Sequence, residues 1–484
     1  EDVRGYLAKG IRMDGATGSG RPFVGRRAEL QQFMAAMKVC EDTGVGQAIY
    51  VRGEAGIGKS RLREEFEAAA VQHGFACHRS LVLDFGVGQG QDAIRTLVHS
   101  LLNLAPGVGE AARAAAAEQA LQDRLLQKGQ LMHLNDLLDL PQPKESRSLY
   151  DAMDNARRNQ GKRGTVAALM RGLSYRQPLF VVIEDVHWAQ NTILEYLAEL
   201  TRTVEDQSTI LIMTSRIEGD PLDQAWRAST GSTPLTTIDL RPLRRDDAMA
   251  LAAEYFDASN KLALNCVERA EGNPLFLDQL LRSAETSTDD QVPGSVQSLV
   301  QARMDALDDL DRQAVQAAAI LGQRFSLDAL RHLIGSQQYT CAGLVERHLV
   351  LPEGEQFLFA HALVREGIYD SLLGPRRAEL HRAAAAWFGD RDIILRAEHL
   401  GRANDPEAAA AFLDAARDQS TALRFETALN LAARGIELAD DPVVKCSLIC
   451  LRGDTLRDTG ATEQSLAAFR AALKLSNDDI TGCH

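Results

Sequence analysis

Basic residues are in short supply. The 53 lysines and arginines are outnumbered by 67 acids, for a formal net charge of −14. That deficit argues against non-specific binding to nucleic acid, whose phosphates would be repelled, although it leaves room for a small local basic patch. Cysteine is sparse and scattered: there are seven in 484 residues and no C-x-x-C pair. Neither a zinc site nor a disulfide framework is indicated. The nearest pair, Cys446 and Cys450, falls in an apolar helical pattern and reads as buried thiols. No apolar run is long enough to span a membrane, and there is no signal peptide. A soluble, reducing, cytoplasmic setting is expected, with no membrane partner. The chain opens on Glu1 rather than Met and stops at His484, so it reads as a piece of something longer, from which any output domain could be missing. Its length exceeds the roughly 250–300 residues one core can organise, so several domains are expected.

What is present is organised around one stretch, Gly53-Glu54-Ala55-Gly56-Ile57-Gly58-Lys59-Ser60, which reads G-x-x-x-x-G-K-S, a P-loop. Before it, residues 47–51 form a short apolar run suited to a buried strand. After it, Arg61 opens a run of helix formers with Leu62 and Phe66 one turn apart. Glycines let the backbone curl so that successive N–H groups face an anion, and the helix N-terminus adds partial positive charge. Lys59 is expected on the β- and γ-phosphates of ATP or ADP, and the Ser60 hydroxyl on Mg²⁺.

Further strands are expected at 75–83, 179–183, 209–213 and 235–240, and helices alternate with them. That pattern predicts a five-stranded parallel sheet covered on both faces, an α/β P-loop NTPase domain over 21–243 with a helical insertion at 85–178 and a linker at 1–20. One additional strand separates the P-loop strand from an acidic one. Ligands on such sheets sit at the carboxyl ends of strands. There the third strand ends in Glu184-Asp185, a Walker B arrangement in which one carboxylate holds Mg²⁺ and the other polarises an attacking water. By position Glu184 falls on the metal side and Asp185 as base. The order Glu-Asp, in place of Asp-Glu or Asp-Asp, leaves that division open. Arg216 follows the fourth strand, where a guanidinium can sense the γ-phosphate; a surface arginine in a βα loop is the plainer reading. His187 follows the acids and reads by default as a hydrogen-bonded packing residue.

Beyond Arg244 the pattern is mainly helical. Residues 244–292 read as a helical lid broken at Gly272-Asn273-Pro274, which local sequence alone does not separate from an ordinary turn. Residues 293–375, with helices and a hairpin at 349–359, read as a winged-helix domain lacking a basic recognition helix, so packing rather than DNA binding is expected. Residues 376–484 read as α-helical, tetratricopeptide (TPR)-like repeats, with helix pairs at 407–422/426–439 and 443–458/462–475. The spacing is slightly above the roughly 34-residue tetratricopeptide period, with a plain bundle as the alternative. A repeat stack offers a concave surface to a protein or peptide partner.

Taken together, Phe23-Val24-Gly25-Arg26, the P-loop, Ile183-Glu184-Asp185-Val186-His187-Trp188-Ala189, Thr214-Ser215-Arg216, Gly272-Asn273-Pro274-Leu275-Phe276 and 359–366 resemble the STAND class of signalling ATPases, specifically the AAA-16 module. Such modules accompany class III adenylate/guanylate cyclase domains or LuxR-type helix-turn-helix domains in bacteria. The resemblance implies that Val24, Gly25 and Arg26 line the adenine pocket, that Pro274 closes over the base, and that His361 approaches the β-phosphate of ADP, with an ordinary core-edge histidine as the alternative. It implies an ATP/ADP switch with slow Mg-dependent hydrolysis, able to oligomerise with nucleotide. Three alternatives stay open: the regulatory part of a cyclase, part of a transcription activator, or a scaffold that binds nucleotide for stability.

Overall fold

The computed structural model describes residues 23–83, 93–105, 107–231, 233–257, 260–286, 300–301, 304–305, 307–354 and 356–478. The linker expected at 1–20 lies outside them, as does the start of the segment expected as a winged helix at 293–375. The core is a five-stranded parallel sheet of β1 (Gln47–Arg52), β2 (Ala76–Leu81), β3 (Leu179–Glu184), β4 (Thr209–Ser215) and β5 (Leu235–Asp239). Their order is β2-β3-β4-β1-β5. β4 therefore separates the P-loop strand from the acidic strand, and the P-loop, the acids and Arg216 all emerge at one edge of the sheet.

β3 and β4 are buried along their whole length, as expected of strands covered on both faces. Alternate residues serve opposite faces. Phe180, Val182, Ile210 and Ile212 pack with Phe33 and Phe66 on one side. Val181, Ile183, Leu211 and Met213 pack on the other side against the inserted helices, through residues such as Leu97 and Val166. On the first face Phe33 stacks on Phe66 at 4.2 Å between ring centroids and meets Phe180 edge-on at 5.5 Å. These rings fix the P-loop helix, Lys59–Gln72, against the sheet.

The segment expected as an insertion is helical, running from Ala93–Leu101 to Asn155–Ser174. Helices Arg245–Ala252, Lys261–Arg269 and Pro274–Thr286 then share a small core of their own around Leu251, Cys266 and Leu277. Next comes a second sheet, β6 (Arg324–Ser326), β7 (Val350–Glu353) and β8 (Gln356–Phe359), antiparallel in the order β6-β8-β7. The hairpin β7-β8 is the one the sequence suggests; β6 adds a third strand, too short to leave a pattern.

The C-terminal region is helical, with antiparallel neighbours Ala408–Thr421, Phe425–Leu438, Pro442–Asp458 and Thr462–Asp478. Small residues set their spacing. A Cβ on Gly453 would stand 2.8 Å from the Phe469 ring, and one on Gly435 2.8 Å from Leu448. Cys446 is buried as expected, while Cys450 is half-buried and free.

Candidate nucleotide site

The loop from Gly53 to Gly58 carries its conformation in its glycines. Gly56 and Gly58 have φ of 78° and 99°, a region that side chains disfavour. A Cβ at Gly53 would lie 2.6 Å from Ile57. Lys59 opens the helix and curls back over the loop, its Nζ donating to the carbonyls of Gly53 and Glu54 at 2.9 Å each. Burial pulls its ammonium down to about 8, opposed by the attraction of Asp185. Ser60 and Glu54 are exposed at the loop's rim, whereas Ile57 is buried. Arg61 turns away along the helix to Glu65, at 2.8 Å, and Glu64.

The two acids have different surroundings. Glu184, still in the strand and buried, pairs with Arg79 of β2 and lies 3.7 Å from Arg63 of the P-loop helix. Asp185 follows in a left-handed conformation, φ 56°, with its N–H donating to Thr214 Oγ1 at 3.1 Å. That turn frees its carboxylate from the strand. Partial burial, then the neighbouring Glu184, push Asp185 up to about 6, while Lys59 and Arg216 oppose the rise. Asp185 is thus the acid that shares a field with the P-loop lysine, and Glu184 is the acid neutralised by arginines.

Arg216 follows the adjacent strand, β4. Its Nη2 donates to Glu366 at 2.5 Å, on the helix Ala362–Ser371. Its guanidinium lies 5.8 Å from the centre of the Trp188 ring. Its backbone N–H donates to His187 Nδ1 at 3.4 Å, and His187 is itself 4.0 Å from Asp185. Burial holds that imidazole neutral, down to about 3, helped by Arg216 and Lys59. His187 therefore packs and hydrogen-bonds as the plain reading expects. A small cleft joins Asp185 and Trp188 to Ala362, Arg365 and Glu366. His361 sits exposed at the N-cap of the same helix.

Two segments distant in sequence seat on the loop. Arg26, φ 57°, donates from Nη2 to the Ile57 carbonyl at 3.1 Å. Gly25 faces Asp247 and Leu243, and Val24 packs on the core of the helices 245–286. Asn273 Nδ2 donates to the Ala55 carbonyl at 3.0 Å, and the Leu275 N–H to Gly56 at 3.2 Å. Pro274 lies beside Gly58. Sequence reading singled out Val24, Gly25, Arg26 and Pro274 but missed Asn273, Glu366, Arg79 and Arg63. A partner across space leaves no local pattern; Asn273 alone carried a signal, the residue inside a Gly-x-Pro break.

Residues 22–213 match the AAA_16 family, the AAA ATPase domain. The matched stretch takes in the P-loop, the acids of β3 and most of β4. The family binds nucleotide, usually with Mg²⁺, and hydrolyses it. A protein of Rhizobium meliloti (strain 1021) is 28% identical over 422 residues, covering 78% of this chain and 39% of its own length. The chain thus spans about two fifths of that relative. Among solved structures, similar folds include a STAND protein with a tetratricopeptide repeat sensor from Pyrococcus horikoshii, at 15% identity and TM-score 0.44, covering 95% of this chain and 66% of that one. Another is Cdc6p from Pyrobaculum aerophilum, at 11% identity and TM-score 0.35, covering 74% of this chain and 97% of that one.

Magnesium fits the donors present. It favours one or two carboxylates plus phosphate oxygens and retained waters over an all-protein cage. Among the described residues no group of three or more His, Cys, Asp or Glu could hold a metal, while Asp185 and the Ser60 hydroxyl offer oxygens beside the loop.

Proposed function

We propose that the chain is an ATP/ADP-binding signalling switch with slow Mg-dependent hydrolysis. In this reading the loop amides and Lys59 hold the β- and γ-phosphates. Ser60 and Asp185 would hold Mg²⁺, which when bound neutralises charge on the phosphate oxygens. The arginine pairs of Glu184 make it a structural acid that fixes the end of β3, reversing the division suggested by position alone. Such a site has one carboxylate for both the metal and the water, which is why turnover is expected to be slow.

The observation that carries the switch is the 2.5 Å pair between Arg216 and Glu366. A guanidinium at the end of β4, in the field of Lys59 and Asp185, is held by a helix from another part of the chain. A γ-phosphate would compete with Glu366 for that charge. ATP would then loosen the helix 362–371 and the segment around it, read as a winged helix, and ADP would leave the pair intact. The helices from 376 onward, read as TPR-like repeats, would receive the protein partner whose binding biases the two states. Moving such an equilibrium from 1:99 to 99:1 takes about 5.5 kcal/mol of differential binding.

The test compares wild type, Lys59→Ala and Glu366→Gln for bound nucleotide and for compactness by X-ray scattering. Lys59→Ala should lose nucleotide, and Glu366→Gln should expand with ATP at lower concentration than wild type. If all three bind alike and scatter alike with ATP and ADP, the switch is rejected.

A further inference from the structure

Every carbonyl of the phosphate loop accepts a hydrogen bond. Lys59 serves Gly53 and Glu54, Asn273 serves Ala55, the Leu275 N–H serves Gly56, Arg26 serves Ile57 and the Leu62 N–H serves Gly58. Two of these donors, Lys59 and Leu62, come from the motif's own helix. The other three come from residues 26 and 273–275, which local sequence cannot connect to the loop.

The peptide unit makes this consequential. In a planar trans peptide the C=O of one residue points opposite to the N–H of the next. Pinning the Ala55 carbonyl therefore aims the Gly56 N–H, and pinning the Ile57 carbonyl aims the Gly58 N–H. Gly56 and Gly58 are also the two loop residues at positive φ. With no Cβ they have the widest choice of alternative conformations, so they are where an external restraint matters most.

The two donors are themselves held. The Arg26 side chain is 8% exposed, and Glu29 sits 3.5 Å from its other nitrogen. Asn273 Oδ1 accepts from the Phe276 N–H at 3.1 Å, capping the helix Pro274–Thr286 while Nδ2 reaches the loop. Glu271 and Gly272 take left-handed conformations, φ 48° and 78°, to make the turn. A Cβ on Gly272 would stand 2.6 Å from the Leu243 carbonyl. The turn is built to bring one amide side chain to one carbonyl.

We propose that Arg26 and Asn273 are positioning residues of the phosphate loop, orienting the Gly58 and Gly56 amides for a bound pyrophosphate group, rather than contacts to the base. Affinity for phosphate then depends on whether the helices 245–286 are seated. The inference rests on the nucleotide-binding reading above.

The test measures Mg·ADP, Mg·GDP and inorganic pyrophosphate binding to the full chain, in wild type, Asn273→Asp, Arg26→Gln and Arg26→Lys. Asn273→Asp keeps the oxygen that caps the helix and removes the donor to Ala55. Arg26→Lys keeps the charge but loses the forked reach. Loss of one hydrogen bond of ordinary strength predicts on the order of a tenfold weakening. It should be equal for all three ligands, leaving the ADP-to-GDP ratio at the wild-type value. Thermal melting without ligand identifies any variant that fails to fold, and the remaining variants then decide. A variant that loses ADP but binds pyrophosphate normally, or that changes the ADP-to-GDP ratio, would place the residue on the base and overturn the proposal. Wild-type affinity in the folded variants would overturn it too. Failure of wild type itself to bind ADP would instead reject the nucleotide reading beneath it.

Discussion

Adjacent residues at the end of β3 have opposite fates, and only side-chain surroundings separate them. Glu184 is locked between two arginines; Asp185 turns out of the strand toward Lys59. Glu184→Gln should mainly destabilise, by about 1–3 kcal/mol, since it weakens the charged contacts of a buried acid whose Arg79 partner is 41% exposed; a fall in thermal midpoint with ADP affinity retained would show it. Asp185→Asn should do the reverse, lowering ATP turnover by on the order of 10²–10⁴ while ADP is still bound. The pH dependence has a definite sign. Folding raises the Asp185 pKa from 3.8 to about 6, so its protonated form favours the folded state. Metal-free protein should lose stability as pH rises from near 4 to about 6, and that part of the loss should vanish in Asp185→Asn, as urea titrations across this range can check. The motif located both acids but not their division, because Arg63 and Arg79 are brought to Glu184 by the fold and by nothing in the local sequence.

Among the elements, β3 and β4 were the most legible strands because each is an apolar run rich in β-branched residues that ends in polar ones, whereas β2, Ala-Cys-His-Arg-Ser-Leu, carries a weaker pattern. The C-terminal helices were legible from their small residues. β6 was not: Arg324–Ser326 is three residues long and has no alternation to read. Its register is fixed by β8, where Phe325 faces Phe357. The domain divisions read from the sequence remain the proposed ones. Helix spacing in the C-terminal region gives a sharp expectation. Gly453 faces the Phe469 ring at a distance no Cβ can occupy, so Gly453→Val should strain that pair by about 1–3 kcal/mol. Circular dichroism in denaturant should detect it as an earlier loss of helix, with nucleotide binding unchanged.

Across the whole molecule, the C-terminal helices return to the ATPase domain through a few polar contacts. Arg424 reaches Asp139 at 2.6 Å, and Asp139 also pairs with Arg95. Glu426 meets Thr192 and, at 3.4 Å, Asn159. Each pair is only partly buried and should contribute modestly, so reversal of charge is needed to open the contact. Arg424→Glu should place two carboxylates together and release the stack, raising the radius of gyration in scattering while Lys59-dependent nucleotide binding persists. No helix among the described residues is long and apolar enough to cross a membrane.

The strand order has an outcome that belongs to the molecule as a whole. β4 lies between the strand that delivers the loop and the strand that delivers the acids, so Arg216 leaves the sheet at its midline. Anything that grips this one cation must stand over both halves of the candidate site at once. A remote event then needs no relay of shifting side chains through the interior. Under the proposed switch it would need only to lift one helix from the doorway through which fuel enters and spent product departs.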